Sequence, residues 1–358
     1  MLEKSIKLLK EIIAIPSLSA EEEKVANLIC DYLLSYSIKS ERIGNNIIAK
    51  NLNFKKGLPT LMLNSHIDTV APSSQYTFDP FSPIEDGEKI YGLGSNDAGG
   101  ALVTLIHTFI SFYKSSLPIN IVLQISAEEE NSGKNGIKLL VQRINQEIDF
   151  AIIGEPTQCK AAIAERGLLV LDCKTSGESA HAAYSGGKNA IYQAIQDIEK
   201  IKKYKFDKES PILGKITPNV TMISGGKAHN IIPDECNFVV DIRTTEQYTN
   251  KEIVNLLQKE VACEIKARSL TNKSSVTPID STILRTIKSA KIETFVSHTT
   301  SDWMQINIPA IKIGPGDSLR SHKADEYIIK SELNEGLKTY NKIINELIKI
   351  YNEQYTLE

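Results

Sequence analysis

The sequence predicts an α/β fold: a mixed sheet sandwiched by helices and interrupted by a smaller α+β domain of split βαβ, ferredoxin-like type. Three observations carry this. Helical periodicity alternates with short apolar strands from the start to about Glu165. From Arg166 to about Leu270 the rhythm changes to β-α-β-β-α-β. From about Thr277 the chain returns to helix, short strand and long helix, a block too small to bury its own core. With 358 residues, the chain exceeds what one compact core usually organises.

The elements follow in order. The opening run MLEKSIKLLKEIIAIPSLS places apolar residues at helical spacing with Lys and Glu between them. Apolar strands are read at Leu61–Asn64, Ile119–Ser126 and Asp149–Ile153, with a helix starting at GGALV that contains His107. Strands of this kind, separated by helices, imply a sheet covered on both faces. In the middle block the pattern predicts a strand at Leu168–Thr175 and a helix at Lys188–Tyr204. Strands at Asn219–Ser224 and Glu235–Arg243, a helix at Asn250–Val261 and a strand at Cys263–Ser269 complete it. The last block carries a strand at Ala310–Ile313, a Gly-Pro-Gly turn and a C-terminal helix. It is expected to complete the first block's sheet. This gives a discontinuous domain of residues 1–165 and 275–358 around an inserted domain of residues 166–274.

Composition bounds the class of function. The chain is 41% hydrophobic and 24% charged, with net charge −3. No bulk basic field draws it to nucleic acid or anionic lipid. No apolar run is long enough to cross a bilayer, and the N-terminus lacks the features of a signal peptide. The cysteines, Cys30, Cys159, Cys173, Cys236 and Cys263, are odd in number and form no C-x-x-C pair. A disulfide framework or a cysteine zinc site is therefore not expected, and a reducing cytoplasmic compartment is.

Histidines and carboxylates recur where strands end. His66 and Asp68 follow LMLN; Asp97 closes YGLGSND; Glu128, Glu129 and Glu130 follow INIVLQIS; Glu155 follows DFAII; His322 lies after GPGDSLRS. Each has a plain alternative. Asp97 alone is as well explained as a helix cap, three glutamates as a solvated loop, Glu155 as a turn residue before proline, and a lone histidine as structural. Together they would converge on one edge of a parallel sheet. Like charges gathered there need a cation. Mixed His and carboxylate ligation suits Zn2+, with Co2+ or Mn2+ as substitutes. Asp68 is placed to orient His66 by accepting the proton on its other ring nitrogen. Gly92-Leu-Gly94 starts like a dinucleotide fingerprint, but Asp97 stands at the third glycine position. No phosphate-binding loop and no G-x-S-x-G elbow occurs.

These residues lie in runs that resemble the M20 metallopeptidase family, the group of aminoacylases, acetylornithine deacetylases and succinyl-diaminopimelate desuccinylases. The runs are SHIDTV (65–70), YGLGSNDAGG (91–100), AEEENSGKNG (127–136), IGEP (153–156), SAHAAY (179–184), GGKAHNIIPDECNFVVDIRT (225–244), IGPG (313–316) and SHKADEYI (321–328). The resemblance implies a zinc-binding catalytic domain with a ferredoxin-like lid and dimerisation domain. It implies two Zn2+ per subunit, one held by His66 and Glu155, the other by Glu130 and His322, with Asp97 bridging. Glu129 would be the general base, with Asp68 behind His66. His181 would lean on the oxyanion, in related dimers from the neighbouring subunit. Asn230 and Arg243 would hold the substrate carboxylate, and Gly314 and Gly316 would let substrate approach the backbone. Arg166 would meet a succinyl carboxylate, or pair with Glu165 or Glu155. Two departures stand out: Ala98 and Gly99 occupy positions where the family often has Met-Lys, and Glu128 replaces the Asp of Asp-Glu-Glu. The implied reaction is removal of an acetyl or succinyl group from N-acylornithine by a homodimer. The alternatives are a desuccinylase of the diaminopimelate pathway, or a dipeptidase or carboxypeptidase.

Overall fold

A computed structural model describes residues 1–144, 148–184 and 186–355. In chain order the first part holds α1 (Leu2–Ile13), α2 (Glu23–Ser35), β1 (Glu41–Ile43), β2 (Asn46–Lys50), β3 (Thr60–His66), β4 (Ile84–Asp86), β5 (Lys89–Tyr91), α3 (Gly100–Phe112), β6 (Asn120–Ser126), α4 (Ile137–Ile144), β7 (Phe150–Ile153) and β8 (Ala161–Glu165). The middle holds β9 (Gly167–Ser176), α5 (Ala190–Lys203), β10 (Thr217–Gly225), β11 (Glu235–Thr244), α6 (Asn250–Glu260), β12 (Glu264–Ala267) and β13 (Ser275–Val276). The last part holds α7 (Thr282–Ser289), β14 (Thr294–Ser297), β15 (Ala310–Lys312), β16 (Tyr327–Ile329) and α8 (Lys330–Tyr355). Two compact units result. One comprises residues 1–163, 277–295 and 301–358, and the other residues 164–276 and 296–300.

The first unit is organised by the sheet path β1-β2-β6-β3-β7-β15-β8. Its four central strands, β6, β3, β7 and β15, run parallel. β2 joins antiparallel at one side and β8 at the other, so the sheet is mixed. Both faces are apolar because both are covered. Leu61, Leu63, Ile121, Leu123, Ile125, Ile152 and Ile311 pack in a cluster with Leu9 and Ile12 of α1, Phe109 of α3 and Ile344 of α8. The alternate residues Met62, Val122, Ala151 and Ile153 pack with Leu140 of α4 and with Trp303. This burial on both sides explains why these strands read as continuous apolar runs rather than alternating ones.

Register positions the site. His66 at the end of β3 pairs with Ser126 at the end of β6, and Asn64 pairs with Ile153 at the end of β7. The ends of β3 and β6 are therefore level, and β7 ends two residues short of them on the same edge. A small second sheet, β16-β5-β4, ties the segment leading to Asp97 to the one following His322 through the pair Tyr91 and Tyr327.

The second unit is an antiparallel sheet in the order β10-β11-β9-β12. Strict alternation along β9 and β11 buries Leu169, Leu171, Cys173, Phe238, Val240 and Ile242 against Ala190 and Ala194 of α5 and Ile253 and Leu257 of α6. α5 starts two residues later than the sequence pattern indicates. The Asn189 side chain caps it by accepting from the N–H groups of Ile191 and Tyr192. β10 is an edge strand and exposed along nearly its whole length.

Candidate metal centre

Each cluster residue is aimed by its local backbone. Past β3 the chain is held by the Ile67 N–H on the Ser126 carbonyl and by the Thr69 N–H on the Ser17 carbonyl. His66 is buried and donates from Nδ1 to the backbone carbonyl of Asp68 at 3.0 Å, which turns Nε2 toward the carboxylates. That nitrogen lies 3.5 Å from Asp97 Oδ1 and 3.8 Å from Glu155 Oε1. Asp68 also meets Nδ1 of this ring with its carboxylate. That carboxylate stands 3.4 Å from Nδ1, beyond the shorter carbonyl bond. Its principal partners are the Ser19 hydroxyl at 2.6 Å and the backbone N–H groups of Glu129 and Glu130, each at 3.0 Å. Asp68 is thus an anchor for the glutamate turn as much as for the imidazole.

Asp97 sits after a tight turn in which Gly94 is left-handed (φ 75°). The N–H groups of Asn96 and Asp97 both donate to Glu326 Oε1, at 2.7 and 2.9 Å. Asp97 Oδ2 faces His322 Nε2 at 3.7 Å, so each oxygen of one carboxylate looks at a different histidine. The glycine at 99 has a local cause. A Cβ there would lie 2.3 Å from the Gly94 carbonyl oxygen, so this turn admits no side chain where the family often has Lys.

The three glutamates separate clearly. Glu128 has φ 53°, and its carboxylate accepts from the Asn135 backbone N–H at 3.1 Å and the Asn135 amide at 2.7 Å. It braces its own loop. Glu130 Oε2 meets His322 Nε2 at 3.0 Å. Glu129 is half-buried, within electrostatic reach of Glu155, Asp302 and Glu130. Glu155 is set by the Gly154 N–H, which donates to the Asn64 carbonyl at 2.6 Å.

Burial and mutual repulsion govern the charges. Glu129 is pushed well above the usual carboxyl range by burial and then by Glu155, Asp302 and Glu130, against the pull of His66. Burial pushes Glu155 up to about 8 and raises Glu130. For His66, burial opposes the charge, but Asp68 and Asp97 outweigh it and hold the imidazole well above its ordinary value. His322 is raised to about 9, chiefly by Glu130. His66, Asp97 and Glu130 offer ligand atoms all within 4.8 Å of one another. Imidazole nitrogens and carboxylate oxygens this close, with carboxyls strained by each other's charge, match the donor chemistry of divalent cations such as Zn2+.

Four residues of this neighbourhood escape sequence reading. Glu326 is buried, raised to about 8 by burial and by Asp97, and lies inside SHKADEYI, where it reads only as a loop acid. Asp302 accepts from the Ser126 hydroxyl and is pushed up to about 7 by burial; its only signal is the run TTSDWMQ. Ser19 and Glu22 come from the N-terminal segment. Glu22 accepts from the N–H groups of Ala20 and Glu128 and from the Asn45 amide, and no motif announces it.

The other candidates fall in two groups, Gly314 and Gly316 in the first unit and the rest in the second. A Cβ on Gly314 would lie 2.6 Å from the Glu155 carbonyl, and one on Gly316 would lie 2.5 Å from the Asn96 amide oxygen. A side chain at either position would collide with the protein's own atoms, which accounts for glycine at both. Arg166, Arg243, His181 and Asn230 belong to the second unit. Arg166 donates to the carbonyls of Leu213 and Lys215. Arg243 forks onto Asp241 at 2.9 and 3.1 Å. His181 pairs with Ile231, and the Ala182 N–H donates to the Asn230 carbonyl at 2.9 Å, so these two runs do meet.

The comparisons accord with this geometry. The pattern of Peptidase family M20/M25/M40 matches residues 62–346, and the chain belongs to that family. It is 26% identical to a probable succinyl-diaminopimelate desuccinylase of Staphylococcus aureus (strain Mu50 / ATCC 700699), over 94% of this chain and 98% of that one. It is 28% identical to the acetylornithine deacetylase of Proteus mirabilis (strain HI4320), over 90% and 91%. In fold it is similar to the aminopeptidase PepT of Bacillus cereus ATCC 10987, with TM-score 0.79, 19% identity and coverage of 97% and 99%. It is also similar to the Bacillus subtilis YXEP protein, a dinuclear metal binding peptidase from the M20 family, with TM-score 0.75, 14% identity and coverage of 98% of each chain. The chain is therefore a hydrolase of the M20 type, with the fold of that family.

Proposed function

We propose that the protein is a dinuclear, zinc-dependent deacylase that removes an acetyl or succinyl group from N-acylornithine. The observation that carries the reading is Asp97, with one oxygen toward His66 and the other toward His322. His66 and Glu155 would hold one ion, His322 and Glu130 the other, and Asp97 both. Bound there, divalent cations polarise an amide carbonyl and acidify water. Co2+ is a fitting substitute. Glu129 takes a proton from the attacking water and delivers it to the amine nitrogen as the C–N bond breaks. Asp68 keeps the Glu129-Glu130 turn in place through their N–H groups. His181 and Asn230 are read as lid groups, His181 supporting the developing oxyanion in the partner's site of a homodimer, with Arg243 assigned to the substrate carboxylate. Five free cysteines suit a reducing, cytoplasmic setting.

A second reading, desuccinylation of N-succinyl-diaminopimelate, is supported by the relatives' names to the same degree. A single side-by-side assay separates them. The purified, zinc-loaded protein is given N-acetylornithine, N-succinylornithine and N-succinyl-diaminopimelate, and bound zinc is measured on the same preparation. Turnover of an ornithine amide above the diaminopimelate amide supports the first reading. Turnover of none of the three by protein with two bound ions would overturn both.

A further inference from the structure

A cavity of about 240 Å3 opens beside His322. Val70, Ala71 and Leu93 give it apolar walls, and Tyr76 and Lys323 bring polar groups to it. The Tyr76 hydroxyl is buried against the Glu326 backbone. The acids of the same loop are engaged elsewhere. Asp325 accepts from the Thr77 N–H and hydroxyl, and Glu326 accepts from Asn96 and Asp97. Lys323 is exposed and makes no ion pair among the described residues, so the one fixed charge on the cavity besides the His322 ring is positive.

We infer that this cavity is the subsite for the acyl arm of the substrate, and that it takes an aliphatic acyl chain ending in a carboxylate. The inference rests on the hydrolase reading of the neighbouring centre. Apolar walls beside a lone ammonium suit methylenes leading to an anion. Among the described residues no carboxylate lines the cavity, so it offers no direct partner to an amine-bearing side chain. An amino acid's own carboxylate stands one carbon from the scissile nitrogen and has no use for such a volume, whereas a two-methylene acyl chain fills it. Arg166, the other cation considered for this task, is committed to backbone carbonyls. Selectivity for a dicarboxylic over a simple acetyl group then follows from Lys323.

The test compares ratios, because Lys323 adjoins His322 and a displaced histidine would slow every substrate alike. In Lys323→Met, the ratio of kcat/KM for N-succinylornithine to that for N-acetylornithine is expected to fall about tenfold, the scale of one charge-assisted contact at a partly exposed site. Lys323→Arg should keep the ratio. An equal fall for both substrates overturns the inference. Calorimetric titration of the zinc-loaded wild type with succinate and with acetate gives a readout independent of turnover. Succinate should bind more tightly, and Lys323→Met should erase the difference. Equal binding of the two acids by the wild type overturns the subsite. Failure to hydrolyse either amide, with succinate still preferred, overturns the assigned reaction and leaves the subsite standing.

Discussion

At the scale of single residues, three consecutive glutamates have three different surroundings, and their substitution should separate them. Glu129→Gln removes the proton carrier while keeping the side chain's shape. It should retain bound metal and lose several orders of magnitude in kcat. Glu130→Gln removes the partner of His322 and should lower the zinc content measured on the purified protein. Glu128→Gln alters only the brace onto Asn135 and should cost at most about 1–2 kcal/mol in unfolding free energy with a modest change in kcat. A catalytically dead, metal-replete Glu128→Gln would show that the roles are displaced by one position. His107 supplies a pH-dependent case away from the centre. Its Nδ1 donates to the Val103 carbonyl and its Nε2 accepts from the Tyr32 hydroxyl, an arrangement for a neutral ring. Burial holds its pKa below the ordinary 6.5. The unfolded chain therefore binds the proton first, and the contribution is complete above about pH 6.5 and declines as pH falls below it. Thermal midpoints measured between pH 8 and 5 should fall less steeply in His107→Gln than in wild type. Parallel curves would refute this.

At the scale of elements, β10 is the informative strand. It is an unpaired edge, and it exposes Met222 and Ile223 at 65% and 54% while neighbouring α5 exposes Tyr192 at 65%. A long apolar edge is normally covered. We take the cover to be a second copy, edge to edge, since the same surface patch on both partners closes a twofold pair. Met222→Lys combined with Ile223→Lys places charges on that edge. Sedimentation should show a dimer for wild type and a monomer for the double variant. A wild-type monomer at micromolar concentration would exclude the assembly.

At the scale of the whole molecule, metal and assembly are the two levers. Ions that bind only the folded chain stabilise it by mass action, about 4 kcal/mol for one site at a thousand times its dissociation constant. Removal with a strong chelator should lower the thermal midpoint and abolish activity, and Zn2+ or Co2+ should restore both. Full activity in protein verified to be metal-free would contradict the assignment. If His181 serves the partner's site, mixing inactive His181→Ala with inactive Glu129→Gln should restore activity, because a mixed dimer gathers both lesions at one site and leaves the other whole. Verified subunit exchange without recovery would restrict His181 to its own subunit or to a structural task.

The sequence alone determined the periodic features. Apolar runs near Leu61, Ile121 and Phe150 announce buried parallel strands, and the alternation along residues 168–175 and 235–243 announces a half-covered sheet, because side-chain period and burial are written locally. Placing His66, Asp97, Glu130, Glu155 and His322 at strand ends and loops was legible for the same reason. Short strands such as β1, β4, β5 and β16 were not, since three residues carry little period and these lack the fully buried apolar run of β15. Only the tertiary structure decided which groups meet. The shared edge at which β3, β6 and β7 end comes from pairing register. The support of Asp68 by Ser19, of Glu128 by Glu22 and of Asp97 by Glu326 joins segments up to 229 residues apart. The commitment of Arg166 to carbonyls and of Arg243 to Asp241, and the filling of the space beside Gly314 and Gly316 by protein atoms, likewise depend on neighbours. A residue's type states what it is able to bind, whereas hydrogen-bond competition and close packing in three dimensions decide what it does bind.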